Sequence, residues 1–154
     1  MPNPTEVGWV KVIAELAKSA GHVYPQMAAC EAALESAYGT SQLAVRAKNL
    51  FGSKAHTHIP SNRVLSIPTK EWEGGAFHLV NAEWTVYASI PDCFNDRMHT
   101  LVHLAPYYPH YEAALKATTP GNYVREVSQT WSTDPDRAHK VIAISWEVFP
   151  GYAI

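Results

Sequence analysis

Apolar residues recur along this chain at two periods, and the switch between them divides it into three stretches. In the first, Trp9, Val10, Ile13, Leu16, Ala17 and Ala20 share one side of a helix over 6–20, with Thr5 as its cap and Gly21 as its stop. Pro25 suits the first position of a second helix, where its missing N–H is no loss. Met27, Cys30, Leu34 and Ala37 form that helix's apolar stripe, and Gly39 supplies the left-handed residue that ends it. A third short helix is predicted over 41–48, closing on the turn Asn49-Leu50-Phe51-Gly52. Over 63–87 the pattern turns to β-rich runs on either side of Gly74-Gly75, which reads as a hairpin, with Pro68 marking its strand as an edge or as interrupted before Thr69. Helical spacing returns over 92–104, 112–116, 122–129 and 136–148, with Pro120-Gly121 as a break. With no repeats, low-complexity tract or linker, residues 1–154 form one α+β domain, mainly helical, with a small β lobe set against the helices.

Composition narrows the partners. Apolar residues make up 47% and charged ones 17%, an ordinary globular balance. Twelve basic against fourteen acidic residues leave a net charge of −2, so nucleic acid is not an expected partner. No run approaches the roughly 20 apolar residues of a membrane span, and Met1-Pro-Asn-Pro-Thr lacks the features of a signal peptide. The expectation is a monomer made in the cytoplasm, without membrane insertion and without a cofactor. Cys30 and Cys93 are the only cysteines and read as buried free thiols.

Glu35 is the residue with the most chemical promise. It lies one position past Leu34, on the edge of the apolar stripe and near the helix end. Covered by another lobe, a carboxyl flanked by Leu34 and Tyr38 would be poorly solvated. Desolvation disfavours the charged form, which is how a general acid is kept protonated. The plainer alternative is an exposed glutamate in a like-charge i,i+4 pair with Glu31, costing about 0.2–0.5 kcal/mol.

The words around Glu35 sharpen the choice. Ala32-Ala33-Leu34-Glu35-Ser36-Ala37-Tyr38-Gly39, Ser41, Leu43-Ala44 and Asn49-Leu50-Phe51-Gly52-Ser53-Lys54 resemble the catalytic segment of the glucosaminidase family of peptidoglycan hydrolases. That family includes bacterial autolysins, flagellar wall-piercing enzymes and phage lysins. Thr69-Lys70-Glu71-Trp72 is similar to its strand bearing a second acid, and Trp84-Thr85-Val86-Tyr87 with Ser89, Cys93-Phe94 and Asp96 to the strand and helix that follow. Pro109, Tyr111 and Ala113-Ala114-Leu115 fit as well, as does Thr133-Asp134-Pro135 with Lys140. The pattern departs at Lys48 (usually Asn), Thr85 (usually Arg), Arg97 (often His) and Trp131, which stands near the usual Tyr.

The resemblance implies a lysozyme-like fold and endo-cleavage of peptidoglycan at N-acetylglucosamine β-1,4 linkages, by a phage-type endolysin released by lysis or delivered to the wall. It makes Glu35 the general acid and Glu71 the base, or the stabiliser of a step assisted by the substrate's N-acetyl group. Glu73 lies two residues on along the same strand and would swap roles with Glu71 on a strand slip. Tyr38, Trp72, Tyr123 and Trp131 offer flat faces to sugar rings, and Asn49 a donor to an acetamido group or a brace for its own turn. A muramidase and a non-catalytic wall-binding domain are the alternatives. A zinc peptidase is another, because His99 and His103 have i,i+4 ligand spacing and His56 and His58 lie close together. However, Thr100 stands where a zinc protease carries Glu, so no metal is expected.

Overall fold

The computed structural model describes residues 1–55 and 63–154, except the side chains of Thr69, Glu71 and Trp72. Helix α1 (Pro4–Ser19) is capped by Asn3, not Thr5: Asn3 Oδ1 accepts from Glu6 N at 2.9 Å and Glu6 answers onto Asn3 N at 2.7 Å. This reciprocal capping box satisfies two donors that a lone Thr5 would not. Helix α2 (Pro25–Ser36) is the centre of the domain. Every residue from Met27 to Ala33 is buried, so α2 is enclosed all round instead of presenting one stripe. Its small alanines let α1 and α7 (Arg137–Val148) pack against it.

The end of α2 differs from the sequence expectation. The helix stops at Ser36, and Ala37, Tyr38 and Gly39 follow with φ of 50°, 55° and 78°. Gly39 is therefore the third left-handed residue and not the first. Ser36 holds the turn, its hydroxyl donating to Ala32 O at 2.6 Å and accepting from Gly39 N at 2.9 Å. At Gly39 the need for glycine is also steric, because a Cβ there would lie 2.7 Å from the Trp9 indole.

Helix α3 (Gln42–Ala47) leads into the Asn49 turn, and the chain returns as β1 (Val64–Glu73) and β2 (Ala76–Thr85). The strands pair antiparallel from Val64↔Thr85 to Glu73↔Ala76. Gly74 and Gly75, with φ of 61° and 82°, form the two-residue turn that matches strand twist. Pro68 does not interrupt β1; each strand of a two-stranded sheet has a free edge, so its missing N–H breaks no ladder. The base of the hairpin is tied to the body by Thr85 N→Ser53 O (3.1 Å) and Ala55 N→Glu83 O (2.8 Å). Its far half stands out in solvent, with Leu79 72% exposed.

Four more helices close the body: α4 (Ile90–Leu104), α5 (Pro109–Lys116), α6 (Pro120–Trp131) and α7. Pro109 and Pro120 are first-turn residues, the second capped by Thr119, so α5 and α6 begin earlier than their apolar spacing alone indicates. Cys30 and Cys93 are buried free thiols, and burial pushes both up to about 12, which leaves them unreactive at neutral pH. Among the described residues no helix is long and apolar enough to cross a membrane.

The Trp9–Gly39 contact predicts that Gly39→Ala destabilises the fold by about 1–3 kcal/mol in urea unfolding, since the new Cβ meets the indole and the backbone stays left-handed. An unchanged midpoint would show that the turn is not under this restraint.

Candidate active site

The chemistry gathers on one side of α2, where Glu31 and Glu35 are one turn apart. Glu31 is fully buried. Its Oε1 accepts from the Tyr123 hydroxyl at 2.6 Å and from Arg97 Nη1 at 3.3 Å. Its Oε2 accepts from Arg97 Nη2 and Arg137 Nη2, each at 2.8 Å. These bonds use the acceptor capacity of an ionised carboxylate. Burial alone would push this acid up, but the two guanidiniums and the phenol together hold it down at about 2.

Arg137 carries the network to the surface. Its Nη1 donates to Ser128 Oγ at 2.9 Å, and its Nε to Glu35 Oε1 at 2.8 Å. Glu35 has 27% of its side chain open to solvent. The expectation of an acid dried by Leu34 and Tyr38 thus gives way to one partnered by a guanidinium. Of the plainer alternative the exposure holds, since Glu35 is among the exposed residues, but the two acids are not a bare like-charge pair, because Arg137 stands between them and bonds both. Glu31 is thus the buried carboxylate between two guanidiniums, and Glu35 is the partly exposed acid at the outer edge of the set.

His22 closes the inner end. Its Nδ1 lies 2.6 Å from Val23 O, so that nitrogen carries the proton, and its Nε2 faces Arg97 Nη1 at 3.5 Å. Burial first, and the Arg97 charge second, lower His22 to about 4. On the outer side Arg97 is sandwiched between Phe51 and Trp131, 4.4 and 4.2 Å from the ring centroids. Among the described residues Arg97 Nε, though buried, has no hydrogen-bond partner, and the guanidinium lies between two ring faces.

The other expected site residues are distributed unevenly. Trp131 is half-buried, with one face on Arg97, and it lines a cavity of about 300 Å³ together with Phe51, Gly52, Lys54 and Tyr111. Tyr38 is half-buried at the end of α2, edge-on to Trp9 at 6.5 Å. Tyr123 is not a sugar platform: it is fully buried and bonded to Glu31. Asn49 is likewise 1% exposed, and its amide is committed to Ser53 O, Ser53 N and Thr85 O, so it braces the turn instead of facing a ligand. Glu71 pairs with His78 in the hairpin register and Trp72 with Phe77, but both side chains lie outside the described residues. Glu73 is exposed beside the Gly74-Gly75 turn. His99 and His103 stack at 5.8 Å, and no group of three potential metal ligands occurs among the described residues; His56 and His58 lie outside them.

Arg137, Ser128 and His22 were not legible as site residues. One signal did exist: Glu31 is the single charge within the apolar run Met27 to Ala33, and a charge in an enclosed helix requires partners.

A helical body around an acid-bearing helix, with a two-stranded lobe between its helical halves, defines a lysozyme-like glycosidase domain. A family model described as mannosyl-glycoprotein endo-beta-N-acetylglucosaminidase matches residues 11–148, and the chain belongs to this glucosaminidase family. The exo-glucosaminidase LytG of Bacillus subtilis is 32% identical over 128 residues, covering 80% of this chain and 43% of LytG. The chain therefore spans less than half the length of that relative. The catalytic domain of the autolysin Auto from Listeria monocytogenes is similar with a TM-score of 0.76 at 23% identity, over 96% of this chain and 87% of that one. A C-terminally truncated glycoside hydrolase domain of Salmonella typhimurium FlgJ gives 0.70 at 25% identity, over 93% and 97%.

Two outcomes follow for stability. Glu31→Gln leaves two buried guanidiniums short of a counter-charge and should cost roughly 3–5 kcal/mol in urea unfolding. With His22 lowered from 6.5 to about 4, the unfolded chain binds a proton in that interval that the folded chain does not. Stability is therefore present above pH 6.5 and falls as pH drops towards 4. Glu31, lowered from 4.5 to about 2, adds a second loss below pH 4.5. Thermal midpoints should decline from pH 6.5 to 5, and His22→Asn should remove that decline; an equal decline in the variant refutes the assignment.

Proposed function

We propose that this domain is an endo-acting N-acetylglucosaminidase that cleaves peptidoglycan glycan strands, with Glu35 as its general acid. The observation that supports this most directly is where Glu35 sits: at the open end of an otherwise enclosed helix, beside a buried charge network and within the sequence segment the family shares. In this reading Glu35 gives its proton to the oxygen of the scissile glycosidic bond. The C1–O electron pair passes to that oxygen and positive charge develops at the sugar carbon.

Glu71 is the proposed second carboxylate. Its backbone pairs with His78 in the two-stranded lobe, and the role assigned to it is to activate water or to polarise the substrate's N-acetyl group. Tyr38, Trp131 and Trp72 are the proposed surfaces for pyranose rings; the cavity beside Trp131 is of a size to take part of a sugar unit. Endo action follows the description of the family, whereas the Bacillus subtilis relative is named as an exo-enzyme.

Glu35→Gln should lower the clearing of purified sacculi by at least about two orders of magnitude, as expected for loss of a general acid. Clearing equal to the parent protein would remove Glu35 from the mechanism. Mass spectrometry of the digest should find new reducing ends on N-acetylglucosamine; reducing ends on N-acetylmuramic acid would make the domain a muramidase. Early time points should contain glycan fragments of intermediate length, and disaccharides alone from the start would mean exo action. Clearing that survives EDTA excludes a zinc peptidase.

A further inference from the structure

The two oxygens of Glu35 are not equivalent. Among the described residues, hydrogen bonding to this side chain falls on Oε1 alone, from Arg137 Nε. We propose that Arg137, anchored by Glu31 and Ser128, is a positioning residue that occupies Oε1 of Glu35, so that Oε2 is the atom that holds and delivers the proton. The inference rests on Glu35 being the acid, as proposed above.

The geometry behind it is specific to arginine. The edge of a guanidinium that carries Nε–H and one Nη–H commonly meets both oxygens of a single carboxylate. Here that edge is split: Nη2 goes to Glu31 Oε2 and Nε to Glu35 Oε1, each at 2.8 Å. Residues four apart on a helix lie close enough for one planar fork to span them. The third corner, Nη1, is held by Ser128 Oγ at 2.9 Å. Arg137 is 1% exposed in its side chain and is bonded at all three nitrogens, so it has no slack with which to follow a mobile acid. A lysine ammonium is a point charge on a flexible stem and cannot hold both directions at once.

The arrangement also suits the chemical step. When the Oε2 proton moves to the glycosidic oxygen and the C1–O bond breaks, Glu35 is left as a carboxylate. Arg137 already stands at the other oxygen of that group, so no reorganisation is needed to receive the charge. Glu31, with its carboxylate fixed by Arg97 and Tyr123, keeps the guanidinium in place from the buried side.

The test uses Arg137→Lys, measured on soluble uncross-linked glycan strands. The expected result is a kcat lowered at least about tenfold with KM within about threefold, because the contact acts through the reacting acid and not through substrate binding. Placed in the Glu35→Gln background, the same substitution should leave the residual rate unchanged, since the group it positions is already gone. A kcat within about twofold of the parent, alongside an inactive Glu35→Gln, overturns the positioning role and leaves the acid assignment standing. An equal loss in both backgrounds also overturns it and makes Arg137 purely structural. An active Glu35→Gln removes the acid assignment first, and this inference with it.

Should Arg137→Lys not fold, proton exchange at the Arg137 Nε–H decides the matter by NMR on the parent protein and on Glu35→Ala. Exchange should be at least about tenfold faster in the variant, since a hydrogen-bonded proton is shielded until the bond opens. Equal rates would mean that the Nε–Glu35 bond does not form in solution.

Discussion

A carboxylate without access to water fixes how the helices of this domain are oriented. Glu31 sits in the middle of the most enclosed helix, and an isolated charge in that position would be prohibitive. The fold responds by bringing Arg97 from α4, Tyr123 from α6 and Arg137 from α7 to the same two oxygens. Three helices distant in sequence are thus oriented about α2 by hydrogen bonds with fixed directions, where apolar contact alone would permit sliding. Burial of an ion pair is not in itself a strong source of stability, and an apolar set of similar volume could serve as well. What the charges add is direction, and it ends at Glu35.

Trp131 and Phe51 illustrate how the interior and the surface are joined. Each lays a ring on the Arg97 guanidinium, and each also borders the cavity beside the hairpin base. A ring that packs on a buried cation cannot swing freely, so Trp131 offers any ligand a fixed face. The indole lacks the hydroxyl of the tyrosine usual near this place in the family, and its contribution is shape and polarisable surface.

Much of the architecture was legible from residue spacing because the elements obey local rules. The Gly74-Gly75 hairpin and the helix beginning at Pro25 were both found where turn chemistry and proline geometry require them. The errors were local too: Asn3 outcompeted Thr5 as a cap because Glu6 completes the reciprocal pair. The site was less legible. Glu35 could be singled out by its neighbours in sequence, but its partner Arg137 lies 102 residues away, and no spacing rule reaches that far. Tyr123 was misplaced, and Asn49 stood open between two roles, for a related reason. Both residue types suit sugar recognition and interior bracing alike, and only the packed structure shows that their polar atoms are already taken.

The stretch that the family shares begins at residue 11, two positions after Trp9. Yet it is the Trp9 indole that lies against Gly39 and faces Tyr38, directly behind the turn in which the Glu35 helix terminates. A domain boundary drawn where the shared pattern starts would therefore remove the backstop of α2 while leaving Glu31, Glu35 and Arg137 in the chain. Excised fragments designed on that boundary would be expected to bear the right residues on a slackened support.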